Sequence, residues 1–216
     1  PCDVAFDKSG QIYVIDSMDA KVRAFDSSGN IINRFGGKGT NNGQFRSVSG
    51  IAIGNNDRIY VTDTEGYRVQ VFNASGQIIT IFGKYGTRPG EYKSPYAITV
   101  DDHRIYVLDY GIPRVQVIDK DGISRLVFGQ RGTNKGEFSI PKGISVDKYG
   151  RIYVADTLNH RIQIFDNKGK WLYTFGTKGS GQGQFMGPES IAISNDGYIF
   201  VLDKGNNRVQ VFTYES

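Results

Sequence analysis

One five-residue pattern occurs five times in the sequence. The copies read IYVID, IYVTD, IYVLD, IYVAD and IFVLD, and they end at Asp16, Asp63, Asp109, Asp156 and Asp203. The pattern therefore returns every 46 or 47 residues. Repeats of this length are typical of solenoids and propellers, because a single unit cannot bury its apolar faces alone and must pack on its neighbours.

Each repeat divides into four short segments. Examples in chain order are GISVDKYG, IYVAD, RIQIFDNKG and WLYTFG. The segments have a period-two apolar pattern or a β-branched and aromatic run, bounded by Gly, Asn or Asp, and none has a helical period. The sequence predicts an all-β chain of four-stranded antiparallel blades, which is a β-propeller. Apolar side chains such as Ile59, Val61, Val69 and Val71 are expected to pack between blades.

The fourth repeat resembles the NHL repeat. The matching positions are Gly143, Ile144, Val146, Asp147, Gly150, Tyr153, Asp156, Asn159, His160, Arg161, Ile162, Phe165 and Gly169. Repeat five has Asn206, Asn207 and Arg208 at the corresponding places, whereas repeat one departs most, with Lys21 in place of arginine. The resemblance implies a propeller of NHL type, often six-bladed, and such propellers serve many functions.

The predicted repeats form one domain over residues 1–216. They span 1–47, 48–94, 95–140, 141–187 and 188–216, and the last is incomplete because it stops after its third strand. An open ring exposes unpaired strand edges. We favour a piece of a longer six-bladed chain; the alternatives are a five-bladed ring with an incomplete seam and completion by another chain.

The spacing Asp-x4-Arg recurs after the second strand of four repeats. The pairs are Asp63 and Arg68, Asp109 and Arg114, Asp156 and Arg161, and Asp203 and Arg208, with Asp16 and Lys21 as a variant. A binding site rarely needs one residue type in every blade, whereas a structural ion pair that fixes a loop does. We interpret these residues as structural ion pairs.

The connections between blades are rich in glycine. They read GGKGTNNGQF, GKYGTRPGEY, GQRGTNKGEF and GTKGSGQGQF. A phosphate-binding glycine loop needs a following helix, and no helix is predicted here. The glycines are instead expected to allow a compact crossing. The aromatic residue that ends each loop is expected to fill the space between blades; these residues are Phe45, Tyr92, Phe138 and Phe185.

These connections and the turns between second and third strands should emerge on one face of a propeller. The residues predicted to form a ligand-binding face there are Lys38, Tyr67, Lys84, Tyr85, Arg88, Tyr110, Arg131, Lys135, His160, Lys178 and Asn207. Asn159 and Asn206 fall in the same turns. Cations mixed with aromatics and amides suit an anionic partner, such as an acidic protein or single-stranded RNA. The alternative is a solvated face whose lysines only confer solubility.

Composition limits which partners and which kinds of site the chain can have. The net charge of +4 permits an anionic partner without requiring one, and the single cysteine, Cys2, excludes an intrachain disulfide. No apolar run approaches the roughly 18 residues that a membrane helix needs, so no membrane insertion is expected. The two histidines, His103 and His160, fall in loops predicted on opposite faces, which does not favour a shared metal.

The sequence therefore predicts a non-enzymatic binding scaffold with no cofactor, metal or catalytic residue. Protein recognition through the face formed by the inter-blade loops is the first hypothesis, because no set of nucleic-acid contacts is complete. Single-stranded RNA binding on the same face is the alternative. A metal-dependent lyase or hydrolase is the second alternative, since some NHL-like propellers are lyases and further residues can lie in another blade.

Overall fold

A computed structural model describes residues 1–213, and its five main sheets are antiparallel and form the blades of a propeller. The predicted all-β propeller fold is thereby confirmed. The last three residues of the predicted fifth repeat, 214–216, lie outside the described part of the chain.

The blades follow one another along the chain. Blade 1 comprises β1 (Asp3–Phe6), β2 (Ile12–Asp16), β3 (Lys21–Phe25) and β4 (Ile31–Gly36). Blade 2 comprises β5 (Val48–Ile53), β6 (Ile59–Asp63), β7 (Arg68–Phe72) and β8 (Ile78–Phe82). Blade 3 comprises β9 (Pro95–Val100), β10 (Arg104–Asp109), β11 (Arg114–Asp119) and β12 (Ser124–Phe128).

Two further blades complete the described chain. Blade 4 follows the short strands β13 (Gln130–Arg131) and β14 (Glu137–Phe138), and it comprises β15 (Gly143–Val146), β16 (Ile152–Asp156), β17 (Arg161–Phe165) and β18 (Trp171–Phe175). Blade 5 follows β19 (Thr177–Lys178) and β20 (Gln184–Phe185), and it comprises β21 (Pro188–Ile193), β22 (Ile199–Asp203) and β23 (Arg208–Phe212). Single 3-10 turns, Thr157–Asn159 and Lys204–Asn206, join β16 to β17 and β22 to β23.

The first strand of each blade is the inner one, and inner strands of consecutive blades contact each other. Successive strands within a blade are neighbours, so each blade is an antiparallel meander. The short strands were not anticipated from the sequence. They form because each inter-blade loop pairs with itself in parallel, β13 with β14 and β19 with β20.

The core lies between blades. Alternation along each strand places Ile59 and Val61 of β6 against blade 1, and Val69 and Val71 of β7 against blade 3. All four of these side chains are buried. Each inter-blade cluster also contains the aromatic residue that ends the preceding loop, as predicted for Phe45, Tyr92, Phe138 and Phe185.

The outward faces of blades 1 and 5 are open. On blade 5, Phe200, Leu202, Val209 and Val211 are between 38% and 57% exposed. The corresponding residues of blade 4, such as Ile162 and Ile164, are completely buried against blade 5. Val4 and Phe6 of blade 1 are likewise exposed. These exposed residues occupy the strand positions that pack on a neighbouring blade elsewhere in the described chain.

Candidate binding face

The inter-blade loops and the turns between second and third strands lie together, and we call this surface the loop face. In blade 4, Asp156 ends β16 with a fully buried carboxylate. Its Oδ1 accepts a hydrogen bond from Ser139 N in the loop at 2.7 Å, and its Oδ2 lies 2.8 Å from Arg161 Nε. The loop and the turn are therefore held by one carboxylate.

Arg161 and Gln163 bind the loop itself. Arg161 Nη2 donates to the carbonyl oxygens of Asn134 and Glu137 at 2.8 and 3.0 Å. Gln163 Nε2 donates to the same Glu137 oxygen at 2.7 Å, and Gln163 Oε1 accepts from Gly136 N at 3.0 Å. Backbone groups that would otherwise lack partners in a crossing loop are satisfied by these side chains.

The same arrangement recurs in three other blades. Arg68 and Asp63 lie 2.9 Å apart, as do Arg208 and Asp203, whereas Arg114 and Asp109 are 3.7 Å apart. The glutamine recurs as Gln70, Gln116 and Gln210, and each donates to a loop carbonyl group at 2.6 to 2.8 Å. Sequence reasoning singled out the ion pairs and missed the glutamines, although glutamine stands in the third strand of repeats two to five.

Blade 1 differs from the pair that the sequence pattern indicated. Asp16 pairs with Arg23 at 2.5 Å, and Arg23 also lies 2.6 Å from Asp19. Strand register places Arg23 opposite Val14, which is the position of Gln70 opposite Val61 in blade 2. The pairing of Asp16 with Lys21 is therefore replaced, because the arginine stands two residues later, in the place of the glutamine.

The pKa shifts of the buried aspartates in blades 3 and 4 differ in direction from that in blade 5. Burial raises the pKa of Asp156 and of Asp109, although hydrogen bonds from backbone amides and the positive charge of the neighbouring arginine act against it. For Asp203, burial also acts upward, but hydrogen bonds from Asn206, the Met186 amide and Arg208 outweigh it, and the pKa is lowered. Asp203 has no exposed surface either, but fewer protein atoms surround it because no described blade covers that side of blade 5, so burial raises its pKa less.

The acidic residues of the loops point into the loops. Glu91 Oε2 accepts hydrogen bonds from Thr87 N and Arg88 N, each at 3.1 Å, and Glu137 Oε2 accepts from Asn134 N at 3.0 Å. These bonds lower the pKa of both carboxyl groups. A Cβ at Gly132 would collide with the Glu137 side chain, which explains glycine at this point of the loop.

The cations of the loops point outward. Lys38, Tyr85, Arg131 and Lys178 occupy one equivalent position, because each bridges to the aromatic residue that ends its loop. All four are exposed, as are Lys84 and Arg88. Lys84 pairs loosely with Glu91 at 3.5 Å and stays 76% exposed. The Tyr85 ring meets the Tyr67 ring edge-on at 4.9 Å. Glu65 is an exposed carboxylate in the neighbouring turn.

Four predicted face residues have partners within the protein or stand at a turn. Lys135 Nζ lies 4.3 Å from the Trp171 ring centroid, and the Tyr110 ring packs on Tyr96 at 5.3 Å. His160 Nδ1 accepts from Gly187 N at 3.0 Å. Asn207 is exposed and has a left-handed backbone. Asn159 and Asn206 donate to loop carbonyl oxygens at 2.9 Å, so they serve the framework.

A charged cluster at the inner edge of the loop face was missed by sequence reasoning. Glu189 lies 2.5 Å from Lys142 Nζ and 2.9 Å from Lys204 Nζ. Burial raises the pKa of Glu189, but the hydrogen bonds from both lysines outweigh it and lower the pKa overall. Lys142 and Glu189 are the second residues of their repeats, a position at which repeats one to three have Cys2, Ser49 and Tyr96. Variation at this one position was the signal available in the sequence.

The histidines are apart. His103 lies in the turn between β9 and β10, at the end of the blade away from the loop face, whereas His160 lies on the loop face. Among residues 1–213, no group of three or more His, Cys, Asp or Glu side chains is arranged to hold a metal ion. Within the same residues, no helix has the length and apolar character to cross a membrane.

The comparisons with known proteins bear on the family. A profile for a family described as a 6-bladed β-propeller matches residues 44–122 and 133–216, more than half of the chain. The chain belongs to this 6-bladed β-propeller family. The described residues form five blades, whereas the family description gives six. A search of curated protein sequences finds no match.

Solved structures agree on the fold. A protein of unknown function from Bacteroides thetaiotaomicron is similar, with a TM-score of 0.76 and 18% identity over 97% of this chain and 58% of that chain. An inactive variant of virginiamycin B lyase from Staphylococcus aureus with quinupristin has a TM-score of 0.71 and 16% identity over 97% and 68%. A chain in the crystal structure of a nidogen/laminin complex has a TM-score of 0.73 and 18% identity, over 98% of this chain and 75% of that chain. The chain spans less than two thirds of the Bacteroides protein, and these identities show the fold alone.

Proposed function

We propose that the chain is a non-enzymatic scaffold, with NHL-type blades, that recognises a protein through the loop face. One observation carries the proposal: loop carboxylates such as Glu91 and Glu137 bind their own loop backbones, while Lys38, Arg131 and Lys178 point outward from one repeated position. The face therefore presents positive charge on a backbone that the blades hold fixed. A partner with an acidic surface is complementary to it.

The similarity to solved structures supports the proposal only at the level of the fold. The nidogen/laminin structure is titled as a complex of two proteins, so a propeller of this shape occurs in a protein complex. The lyase neighbours support the competing class, enzymes. The separation of His103 from His160 favours the scaffold over a lyase that needs both histidines at one metal.

Single-stranded RNA is the second candidate ligand. It is favoured by the Tyr67 and Tyr85 ring pair beside Lys84 and Arg88, since aromatic faces and cations together bind stacked bases and phosphates. The rings meet edge-on, however, so one of them must turn before two bases can stack in sequence. We therefore rank RNA behind a protein.

A charge-matched pair of variants tests the proposal. The face variant replaces Lys38, Arg131 and Lys178 by Ser, and the control variant replaces Lys8, Lys120 and Lys168, which are exposed in turns at the other end of the blades. Cross-linking with identification of captured proteins is run on both variants and the wild type. We expect a partner that binds the wild type and the control but is lost with the face variant.

The other outcomes decide between the classes. A fluorescent uridine oligonucleotide is titrated across a salt series, because phosphate contacts make affinity fall steeply with salt. RNA binding that the face variant loses and the control keeps would replace the protein hypothesis by RNA. Equal capture by both variants would contradict any role of the loop face. Stoichiometric zinc or calcium in the purified protein would favour the lyase class.

A further inference from the structure

A cavity of about 560 Å³ lies between blades 4 and 5, at the inner edge of the loop face. Its lining residues come from both blades: Ile140, Lys142 and Leu158 from blade 4, and Met186, Glu189 and Lys204 from blade 5. Cavities of this size bind small molecules in many proteins. Both walls belong to described blades, so the cavity is formed by the contact between them and not by the open side of blade 5.

The cavity carries an excess of positive charge. Glu189 Oε1 accepts a hydrogen bond from Lys142 Nζ at 2.5 Å, and Glu189 Oε2 lies 2.9 Å from Lys204 Nζ. The lowered pKa of Glu189 keeps its carboxylate ionised at neutral pH, so two ammonium groups share one negative charge. An ammonium group has three N–H donors, and within the described residues each lysine gives one to Glu189. The remaining donors suit an anion with a single negative charge.

The cluster is not part of the framework that holds the blades together. The residues at the same inner-strand position in blades 1 to 3 are Cys2, Ser49 and Tyr96, and the inner strands of these blades contact one another without a pair of charges there. An ion pair as open to solvent as that of Lys204, whose side chain is 64% exposed, adds little to stability. The fold therefore does not explain why both lysines are present.

The apolar wall of the cavity contains a strained residue. Ile140 has a left-handed backbone with a φ of 46°, a conformation that β-branched residues rarely adopt. The equivalent residue of blade 5 is Gly187, with a φ of 70°, where an added Cβ would meet only Thr157 Cγ2 at 3.7 Å. The backbone angle, and not the available space, thus favours glycine at this position. Ile140 nevertheless has a side chain that lines the cavity and is 37% exposed.

Leu158 extends the apolar wall. Its side chain is 53% exposed, and its backbone N donates to Ser139 O at 3.0 Å, next to Ile140. The strain at Ile140 is not offset by full burial of its side chain, and strain of this kind is typical of ligand-binding sites. Met186 lines the blade 5 side with a flexible thioether side chain, which adapts to apolar groups of different shape.

We propose that this cavity binds a small monocarboxylate with an apolar body. The carboxylate accepts hydrogen bonds from Lys142 and Lys204. The apolar body packs on Ile140 and Leu158. An inorganic phosphate ion fits less well, because it brings more charge than the cluster offers and no apolar surface. The inference does not rest on the proposed function, because the cavity uses none of the exposed cations that the loops display.

Hexanoate is the probe, and ligand-observed NMR titration measures its binding to the purified chain. We expect saturable binding. Hexanamide, which has the same body without the charge, and acetate, which lacks the body, should each bind about tenfold more weakly. A carboxylate beside an apolar group also ends many polypeptides, so N-acetyl-Gly-Gly-Leu is compared with hexanoate. Tighter binding of the tripeptide would identify a chain terminus as the source, and tighter binding of hexanoate a free carboxylic acid.

Two charge variants should act in opposite directions. Lys142→Met removes a donor and should weaken hexanoate binding about tenfold. Glu189→Gln removes the competing carboxylate and should strengthen binding about fivefold, because the cluster gains net positive charge. Lys120→Met, in an exposed turn at the other end of the blades, is the control and should leave affinity unchanged. General damage to the fold would weaken binding in both charge variants.

A variant of the strained residue separates binding from folding. Glycine tolerates the left-handed backbone, so Ile140→Gly should raise the urea midpoint. Its affinity for hexanoate should fall about threefold through the lost apolar contact, whereas its affinity for acetate should not change. Leu158→Ser should likewise weaken hexanoate binding, and Leu172→Ser, at a residue that is 41% exposed on β18, is its matched control.

Three results would overturn the proposal. One is no saturable binding of hexanoate by folded protein. Another is equal affinity for hexanoate and hexanamide, which would show that the lysines do not hold the carboxylate. The third is weaker binding in Glu189→Gln together with unchanged binding in Ile140→Gly, which would place the probe elsewhere.

Discussion

Arg161 Nε lies 2.8 Å from Asp156 Oδ2, and the same guanidinium reaches over to two carbonyl oxygens of the incoming loop. The equivalent Arg208 and Asp203 are 2.9 Å apart with the same kind of loop contacts. The two sites differ in their surroundings, because the Arg161 side chain is 14% exposed and the Arg208 side chain 31%. One chain therefore contains the same ion pair in a covered and in an open blade.

Replacing the arginine of the ion pair should lower the free energy of unfolding more in blade 4 than in blade 5. Arg161→Ala leaves a buried carboxylate without its cation, and we expect a loss of about 3 kcal/mol in the free energy of unfolding. Arg208→Ala should cost about 1 kcal/mol, since the Arg208 side chain is 31% exposed and solvent screens its attraction to Asp203. Urea denaturation measures both, with Arg34→Ala as an exposed control. Equal losses at the two sites would contradict the role of the neighbouring blade.

The loop should loosen when its glutamine is removed. Gln163→Leu keeps the side-chain volume but loses the bonds to Glu137 O and Gly136 N, so we expect a loss of about 1 to 3 kcal/mol. Native-state hydrogen exchange should show faster exchange of the Gly136 amide, whereas the Gly183 amide, held by Gln210, should not change. Unchanged exchange at Gly136 would show that the glutamine does not hold the loop.

The aromatic residue at the end of each loop should be essential to packing. Phe138 is fully buried between blades 3 and 4 and lies 5.6 Å from the Phe165 ring. Phe138→Ala should cost about 3 to 5 kcal/mol, because it leaves a cavity that the blades cannot close. Phe6→Ala, at a residue that is 61% exposed, should change thermal stability little. Similar melting temperatures for the two variants would refute this assignment.

Stability should depend on pH through Asp3. Burial raises the pKa of Asp3 from 3.8 to about 6, although hydrogen bonds from the Ile51 and Val4 amides act against it. The folded chain thus binds this proton more tightly than the unfolded chain. The contribution of Asp3 to the free energy of unfolding therefore falls as pH rises from about 4 to about 6, by about 2 kcal/mol in total.

The variant Asp3→Asn should remove this contribution, so that the loss between pH 4 and pH 6 becomes smaller than in the wild type. Asp26 is the opposite case, because hydrogen bonds from Asn30 lower its pKa and its ionised form stabilises the fold. The wild type loses this stabilisation as acid protonates Asp26, and Asp26→Asn should remove that acid-dependent loss. Urea midpoints across the pH range measure both. Parallel curves for wild type and Asp3→Asn would contradict the raised pKa.

Much of the fold follows from the sequence, because aligning the five repeats shows which residues occupy equivalent strand positions. The IYVxD runs are second strands, and apolar residues expected to pack between blades, such as Ile59 and Val69, are buried there. That these two residues face different neighbouring blades was not predicted. The parallel pairing inside loops was not predictable, since two-residue strands such as β13 have no pattern of their own.

The candidate site was harder to predict from the sequence. Exposure of Lys38 or Arg131 follows from position in a loop, but the inward turn of Glu91 depends on loop backbone geometry. Lys135 approaches Trp171 across 36 residues of sequence, a contact that no local pattern encodes. The cluster of Lys142, Glu189 and Lys204 comes together because blades 4 and 5 are neighbours around the ring.

The separation between the residues that hold a loop and the residues that it displays has a practical consequence. Gln163, Arg161 and Asp156 bind backbone atoms, so they tolerate any side chain that the loop presents at its exposed position. Positions 38, 85, 131 and 178 can then be diversified together, as in a combinatorial display library, without altering the scaffold. The chain is in this sense a starting material for selecting new binders, with one adjustable contact on each of four loops.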